Sequence, residues 1–201
     1  MRAFLALDFD DDIKRELAKL QARLSAGAPG VKWTTPDQLH LTLKFFGEIG
    51  DEAIMPIAGA IKSACDKVAS FEVAWQGLGV FPPRGRVNVV WIGLEASAEL
   101  MDLHRRCDEA LAGIGFPPEA RAFAPHLTLG RCKDPRHSEA IRAAVSNSRA
   151  PTLPPQFIDH VTLYESTLHV PLLFRLPDRS SAGRRVSANI SMADIAPTIL
   201  D

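Results

Sequence analysis

The most constraining feature of this chain is a tetrapeptide that occurs twice, as His40-Leu41-Thr42-Leu43 and as His126-Leu127-Thr128-Leu129. Side chains alternate between the two faces of a β-strand, so the histidine and the threonine of each copy share one face. The two leucines share the other face, which is suited to a core. Each copy therefore predicts a strand with one polar face, and two such strands can present two imidazoles and two hydroxyls to one small anion.

The two copies lie in longer stretches that resemble each other in pattern. The histidines are 86 residues apart, and the same offset places the apolar run at residues 4–7 on residues 90–93. It also places the amphipathic helical pattern of residues 11–24 on that of residues 97–110. Each half ends with a further predicted helix and strand: helices over about residues 54–68 and 138–145, and strands at residues 71–75 and 157–161. We therefore expect an internal duplication.

This order of elements predicts an α+β fold with two pseudo-symmetric lobes, antiparallel sheets flanked by helices, and a central cleft that carries both motifs. A single bilobal domain is expected over residues 1–176, with the internal repeat covering about residues 1–81 and 87–167. Residues 168–176 predict a last strand, which Pro171 restricts to a sheet edge or a bulge. Residues 177–201 match neither half and are expected to form a divergent, flexible tail.

Composition narrows the class of protein. The chain has 201 residues, of which 46% are hydrophobic and 23% charged, as in ordinary soluble domains. A formal net charge of −1 argues against a protein that coats long nucleic acids, but not against one that binds a single RNA end. We find no apolar run long enough for a signal peptide or a membrane span, so we expect a cytoplasmic protein with no membrane partner. The three widely spaced cysteines predict buried or incidental thiols in a reducing compartment: Cys65, Cys107 and Cys132.

Two histidines across a cleft are suited to general acid–base catalysis. The reference pKa of histidine is about 6.5, so one ring can be neutral and accept a proton while the other is protonated and donates one. Threonine hydroxyls can donate hydrogen bonds to the non-bridging oxygens of a phosphate. The candidate catalytic residues are therefore His40 and His126, and the candidate phosphate ligands are Thr42 and Thr128. The scheme needs no metal and no cofactor.

Three further side chains are candidates for contact with the substrate. Lys44 shares the face of His40 and Thr42 if the strand alternates regularly, and Phe46, with the same parity, could stack a base. Arg131 follows the second motif directly and could grip a phosphate, although regular alternation would place it on the face of the leucines. For each of these three, the ordinary alternative is surface charge or core packing.

Two other interpretations of the motifs remain open. A metal site usually has three or four ligands in close-set pairs, and neither motif has an adjacent His, Cys, Asp or Glu on its own face. A histidine in a half-buried strand can also be a hydrogen-bonded structural residue. The recurrence of the same four residues at matching positions favours the acid–base pair over both.

The motifs and their flanks resemble the two-histidine phosphoesterase superfamily, and within it the RNA 2′,3′-cyclic phosphodiesterases, also called 2′-5′ RNA ligases. The resemblance extends over about residues 1–168. It rests on these segments: Arg2 to Asp8, Val31 to Trp33, Leu39 to Glu48, Leu78 to Pro82, Val90 to Gly93, Phe123 to Arg131, and Val161 to Ser166.

The resemblance implies a bilobal fold and hydrolysis of an RNA 2′,3′-cyclic phosphate to a 2′-phosphate without a metal. It would make His40 the acid that protonates the departing 3′-oxygen and His126 the base that activates water. The expected partners are RNA ends or nucleotides that carry a 2′,3′-cyclic phosphate, bound by a monomer. A 2′-5′ ligase reaction, the hydrolysis of 2′-5′ oligonucleotides or small cyclic nucleotides, and a binding module without catalysis remain alternatives.

Overall fold

A computed structural model describes residues 2–165 and 172–177 of the chain. The helices are α1 (Asp11–Ser25), α2 (Ile54–Cys65), α3 (Ala98–Ala112) and α4 (Ser138–Ser146). The strands of the first half are β1 (Arg2–Leu7), β2 (Val31–Trp33), β3 (Leu41–Glu48), β4 (Phe71–Val73) and β5 (Trp75–Phe81). Those of the second half are β6 (Val89–Leu94), β7 (His126–Cys132), β8 (Gln156–Ile158), β9 (His160–Glu165) and β10 (Leu172–Arg175).

The strands form two antiparallel groups that meet at the centre of the molecule. The main sheet has the order β10-β9-β1-β3-β7-β6-β5, and β2 also pairs with β7. The two groups join where β3 and β7 meet, at the single pair Leu41–Leu127. A separate two-stranded sheet joins β4 to β8. The predicted α+β fold with antiparallel sheets is confirmed.

Where the two halves pair with each other, in β3–β7 and β4–β8, the register maps onto itself when residues are shifted by 86. Leu41 and Leu127, which form the central pair, are separated by this offset. In the β4–β8 sheet, the pair Phe71–Ile158 maps onto the pair Glu72–Phe157. Such a register is what an internal repeat with a pseudo-two-fold axis between β3 and β7 requires, and it supports the proposed duplication.

The long helices form where the sequence pattern predicts them, because their apolar residues recur every three or four positions. α1 buries Ile13, Leu17, Leu20 and Leu24, and α3 buries Leu100, Leu103, Cys107 and Leu111. Ser97 caps α3 by accepting a hydrogen bond from the Leu100 N–H. Each fully buried leucine contributes about 1.5–3 kcal/mol relative to an exposed one, so these rows of side chains anchor the helices on the sheet.

One prediction fails in both halves in the same way. The single strands expected at residues 71–75 and 157–161 are each two strands, interrupted at Ala74 and at Asp159. The first strand of each pair, β4 or β8, leaves the main sheet and binds its counterpart. The second, β5 or β9, continues on an outer position of the main sheet. The change of sheet is set by tertiary pairing, which the local sequence pattern does not record.

The remaining expectations concern the end of the chain and its composition. β10 begins after Pro171 and lies at the edge of the main sheet, as expected from the proline. Residues 178–201, for which a flexible tail was predicted, lie outside the described residues. Within the described part of the chain, no helix combines the length and the apolarity needed to cross a membrane. All three cysteines are buried and carry free thiols, as predicted: Cys65, Cys107 and Cys132.

Candidate active site

The two motifs lie at the start of the two central strands, and their side chains alternate in burial. The four leucines are buried in the core, whereas the histidines and threonines are partly exposed on the opposite face. Counted outward from the pair Leu41–Leu127, each histidine lies opposite the threonine of the other motif: His40 opposite Thr128, and His126 opposite Thr42. The register thus brings the two polar faces together at the centre of the sheet.

Each central strand contains a β-bulge directly after its motif threonine. The pairing of β3 with β1 skips Leu43, and the pairing of β7 with β6 skips Leu129. The two skipped leucines are 86 residues apart, so the bulge recurs at matching positions. An extra residue in a strand reverses the alternation of faces beyond it. Side chains after the bulge therefore point to the face opposite to the one that regular alternation predicts.

The bulge in β7 brings Arg131 to the polar face. Arg131 pairs with Val89 of β6, two residues from Trp91, whose ring contacts the His126 ring at 6.3 Å between centroids. Paired residues share a face, and so do residues two apart in a strand, so the exposed Arg131 lies on the face of His126. Adjacency to the motif indicated this candidate, whereas regular alternation would have excluded it.

The bulge in β3 removes Lys44 from the polar face, so the expected position of this residue is wrong. Its ammonium group donates to Oδ1 of Asp108 on α3 at 2.7 Å and to the Pro117 carbonyl at 2.6 Å. Only 4% of the Lys44 side chain is exposed. The extra residue Leu43 turns the lysine toward the helices, where it holds α3 and the following loop against the sheet.

The same shift exchanges the roles expected for two phenylalanines. A second irregularity in the β1–β3 pairing skips Phe46, which packs edge-on against Phe116 at 5.2 Å between ring centroids. The expected position of Phe46 on the polar face is therefore also wrong. Phe45 pairs with Phe4 instead, lies 6.0 Å from its ring and is 58% exposed. Phe45, and not Phe46, is the aromatic side chain of β3 that is open to a ligand.

The ring of His126 is held by one hydrogen bond and two aromatic side chains. Its Nδ1 lies 2.7 Å from the Ala124 carbonyl oxygen, which can only accept, so Nδ1 carries a hydrogen. Phe81 of β5 and Trp91 of β6 contact the ring edge-on, with centroids at 4.9 and 6.3 Å. In the neutral ring, Nε2 is then the nitrogen with a free lone pair.

Aromatic rings also pack against His40. The Phe4 ring of β1 stacks on it with centroids 4.7 Å apart, and the Tyr164 ring of β9 packs against both, with its centroid 5.2 Å from that of Phe4 and 6.1 Å from that of His40. The Tyr164 hydroxyl donates to Oδ1 of Asp8 at 2.5 Å. A carboxylate therefore anchors the aromatic stack that supports His40, whereas the position equivalent to Asp8 in the other half is Leu94.

A polar network around Asp8 and His160 is a feature of the fold that the sequence patterns do not predict. Asp8 accepts a hydrogen bond from the buried Thr162 at 2.6 Å, and its Oδ2 lies 3.6 Å from Nε2 of His160. The other ring nitrogen of His160 lies 2.6 Å from Oδ1 of Asp159. Asp8 and His160 are far apart in sequence, and no sequence pattern indicates that they meet.

The network shifts the pKa values of its members. Burial alone would lower the pKa of His160, but hydrogen bonds and charge from Asp159 and Asp8 outweigh it and raise the pKa to about 9. Burial alone would raise the pKa of Asp8, but hydrogen bonds from His160, Thr162 and Tyr164 hold it below its ordinary value. His160 is thus an imidazolium ion paired with two carboxylates at neutral pH.

His104, a further histidine of the second half, does not join the polar face. The His104 ring stacks flat on Phe123 at 3.9 Å between centroids, and burial lowers its pKa. Residues 2–165 and 172–177 contain no group of three or more His, Cys, Asp or Glu side chains placed to hold a metal ion. The described groups that converge at the centre are therefore two imidazoles, two hydroxyls and, beyond the bulge, a guanidinium.

Comparison with known proteins identifies relatives that match most of this chain. The family model of the 2′-5′ RNA ligase superfamily matches residues 9–169. The RNA 2′,3′-cyclic phosphodiesterase of Methanothermobacter thermautotrophicus is 33% identical over 168 residues, which cover 84% of this chain and 91% of that protein. The protein of the same name from Archaeoglobus fulgidus is 36% identical over 150 residues, or 74% and 83% of the two chains. The chain belongs to the 2′-5′ RNA ligase superfamily.

Solved structures show the same fold. The crystal structure of TT0787 of Thermus thermophilus superposes with a TM-score of 0.69 at 25% identity, covering 90% of this chain and all of that one. The Escherichia coli LigT structure, determined with 3′-AMP, superposes with a TM-score of 0.66 at 25% identity, covering 87% and 97%. The likeness covers most of this chain.

Proposed function

We propose that this protein hydrolyses RNA 2′,3′-cyclic phosphate ends to 2′-phosphates, with His40 and His126 as a general acid–base pair. The observation that carries the proposal is the central pair Leu41–Leu127, a register from which each motif histidine is expected opposite the threonine of the other motif. The relatives from M. thermautotrophicus and A. fulgidus are named for this activity and match most of the chain. A nucleotide bound to E. coli LigT further supports a nucleotide ligand.

The proposed step is an in-line displacement at phosphorus. Nε2 of His126 removes a proton from water, and the water oxygen attacks the phosphorus atom. The bond from phosphorus to O3′ breaks, and His40 gives its proton to the departing O3′. The product is a 2′-phosphate beside a free 3′-hydroxyl. Water supplies both the oxygen that binds phosphorus and the proton that restores the pair.

The surroundings of the two histidines support this division of labour. The hydrogen on Nδ1 of His126 faces the Ala124 carbonyl, which leaves Nε2 as the basic atom of the ring. On the other side, the Asp8 carboxylate anchors the aromatic stack of His40 through the Tyr164 hydroxyl. The leucine at the matching position beside His126 supplies no such carboxylate. Similar motifs in different surroundings thus receive different roles.

The remaining polar groups stabilise the charge that develops on the phosphate. Thr42 and Thr128 lie next to the histidines of the opposite strands, so their hydroxyls can donate to the two non-bridging oxygens. Arg131 shares the face of Thr128 beyond the bulge and can bind the same phosphate with its forked guanidinium group. Removal of one such donor typically lowers kcat by about 10²- to 10³-fold.

The same step can use a different nucleophile. If the 5′-hydroxyl of a second RNA replaces water, His126 removes its proton, O5′ binds phosphorus, and O3′ leaves with the proton of His40. The product is a 2′-5′ phosphodiester, the linkage named in the description of the family. We propose this ligation as a secondary reaction that competes with hydrolysis.

The test is a substrate panel assayed in excess chelator. It contains an RNA with a 2′,3′-cyclic end, a nucleoside 2′,3′-cyclic phosphate, a 2′-5′ oligonucleotide and a 3′,5′-cyclic nucleotide. We expect the first two to yield only 2′-phosphates, and His40→Asn and His126→Asn each to lower kcat by at least about 10²-fold. A matched control is His104→Asn, since His104 packs against Phe123 away from the polar face.

Three results would overturn the proposal. Retention of wild-type rates by both histidine variants would exclude the acid–base pair. Loss of turnover in chelator would indicate metal-assisted chemistry. Tight binding of the whole panel without turnover would indicate a binding module.

A further inference from the structure

Next to Arg131, on the neighbouring strand β2, lies a second exposed cation. β2 pairs with the end of β7, and Lys32 is the partner of Arg131 in that pairing. Paired residues of neighbouring strands share a face, so Lys32 lies on the same polar face as Arg131. The neighbours of Lys32 in β2, Val31 and Trp33, point the other way and pack around Gly130.

Neither cation is neutralised within the part of the chain that the structure describes. Across residues 2–165 and 172–177, neither Lys32 nor Arg131 forms an ion pair or a side-chain hydrogen bond, although many other arginines and lysines are paired. Like charges directly opposite each other on two strands destabilise a sheet. The fold therefore holds two positive charges side by side without compensation, on the face that carries the phosphate site. An anionic ligand would relieve this repulsion.

β2 is fixed firmly enough to position Lys32. The buried Gln21 of α1 donates through its Nε2 to both the Thr34 carbonyl and the Leu129 carbonyl, at 2.8 Å each. The Thr34 N–H donates in turn to Leu129 at 2.9 Å. These bonds tie the end of β2 to the bulge of β7. A side chain on a rigid strand loses less freedom on binding than one on a loop.

The cationic pair is confined to one side of the polar face. The position equivalent to Arg131 in the other half is Phe45, which is 58% exposed, and the position equivalent to Lys32 is Pro118. The two sides of the pseudo-symmetric face thus differ in chemistry, one aromatic and one cationic. A ligand with a base at one end and a chain of phosphates at the other would match this difference.

We propose that Lys32 binds the phosphate on the 5′ side of the terminal nucleotide, so that the site selects the end of an RNA strand over a free nucleoside cyclic phosphate. This inference rests on the proposed function. Adjacent strands are about 4.8 Å apart, and the long side chains of Lys32 and Arg131 can diverge to contact two successive phosphates of one strand. Arg131 binds the reacting phosphate and Lys32 binds the next one.

The experiment compares kcat/KM for two substrates with the same cyclic end, a nucleoside 2′,3′-cyclic phosphate and a dinucleotide with one internucleotide phosphate. We expect the wild type to prefer the dinucleotide, and Lys32→Gln to lower that preference roughly 3- to 10-fold. Lys32→Arg should retain it, because the charge is kept. The slope of log affinity against log salt for a longer RNA should fall by about 0.7 in Lys32→Gln, as expected for one lost phosphate contact.

The control variant is Lys67→Gln, an exposed lysine after α2 that is remote from the polar face. An equal loss of kcat/KM on both substrates in Lys32→Gln would place Lys32 at the cyclic phosphate itself. An unchanged preference for the dinucleotide would show that Lys32 binds no phosphate. Either result overturns the inference. Turnover of the nucleoside cyclic phosphate by the wild type tests the proposed function separately. Affinities for the two 2′-phosphate products test Lys32 even if the protein shows no turnover.

Discussion

Lys44→Met should reduce the stability of the fold and leave the chemistry of the polar face intact. The Lys44 ammonium group forms an ion pair with Asp108, whose side chain is only 15% exposed, and also donates to the Pro117 carbonyl. Methionine keeps the length of the aliphatic stem but removes both interactions. The variant therefore leaves a mostly buried carboxylate and a carbonyl oxygen without their donor.

The magnitude follows from the burial of the pair. Loss of one partner of a fully buried ion pair costs about 3–5 kcal/mol, and the partial exposure of Asp108 reduces this to about 2–3 kcal/mol. For a chain of this length, each kcal/mol lowers Tm by about 2–4 °C. We thus expect a fall in Tm of about 4–12 °C. The double variant Lys44→Met/Asp108→Leu should recover much of it, because the unpaired carboxylate is also removed.

The assay pairs thermal unfolding with initial rates on a cyclic-phosphate end, measured well below the Tm of the variant. We expect kcat/KM to stay within about twofold of the wild type, because the bulge turns Lys44 away from the polar face. A variant of wild-type stability with kcat/KM lowered more than tenfold would refute this reasoning. It would show that the lysine contacts the substrate, as regular alternation of the strand suggests.

Two further predictions concern the phenylalanines of β3 and His160 of β9. Phe45→Ala should raise KM for RNA by roughly 5- to 100-fold, as expected for the loss of one base stack, with little change in the free energy of unfolding. Phe46→Ala should instead lower Tm and leave KM near the wild-type value. The opposite pattern would show that Phe46, and not Phe45, contacts the RNA. His160 has a pKa of about 9 in the folded protein and about 6.5 in the unfolded chain. Its protonation therefore contributes at most about 3 kcal/mol to the free energy of unfolding. This contribution is fully present below pH 6.5 and is lost as the pH rises through 9. Urea unfolding across this range should show the loss in the wild type and a flatter profile in His160→Gln; equal profiles would contradict the ion pair with Asp8 and Asp159.

The sequence predicted the elements of the fold well because their signals are local. The four helices begin within one residue of their expected starts, and both motif strands alternate as expected up to their threonines. Beyond Thr42 and Thr128 the predicted faces fail, because Leu43 and Leu129 form bulges. A bulge depends on the pairing of two strands, and nothing in the residues His-Leu-Thr-Leu marks it.

The environment of the two histidines was harder to predict. The four motif residues were found from their recurrence. The network that distinguishes the surroundings of His40 from those of His126 instead joins Asp8 to His160, which are far apart along the sequence. These residues meet only because β1 and β9 are neighbours in the sheet. Sequence symmetry suggested two equivalent histidines, and it is the strand order that makes their surroundings unequal.

The most direct test of the proposed acid–base pair is a change of leaving group. In a cyclic phosphorothiolate with sulfur at the 3′ position, the departing atom is a thiolate, which needs no proton near neutral pH because a thiol has a pKa of about 8.5. His40→Asn should therefore lose far less activity on this substrate than on the oxygen substrate, whereas His126→Asn should lose as much on both. Equal losses for His40→Asn on the two substrates, or rescue of His126→Asn instead, would contradict the assignment of His40 as the acid.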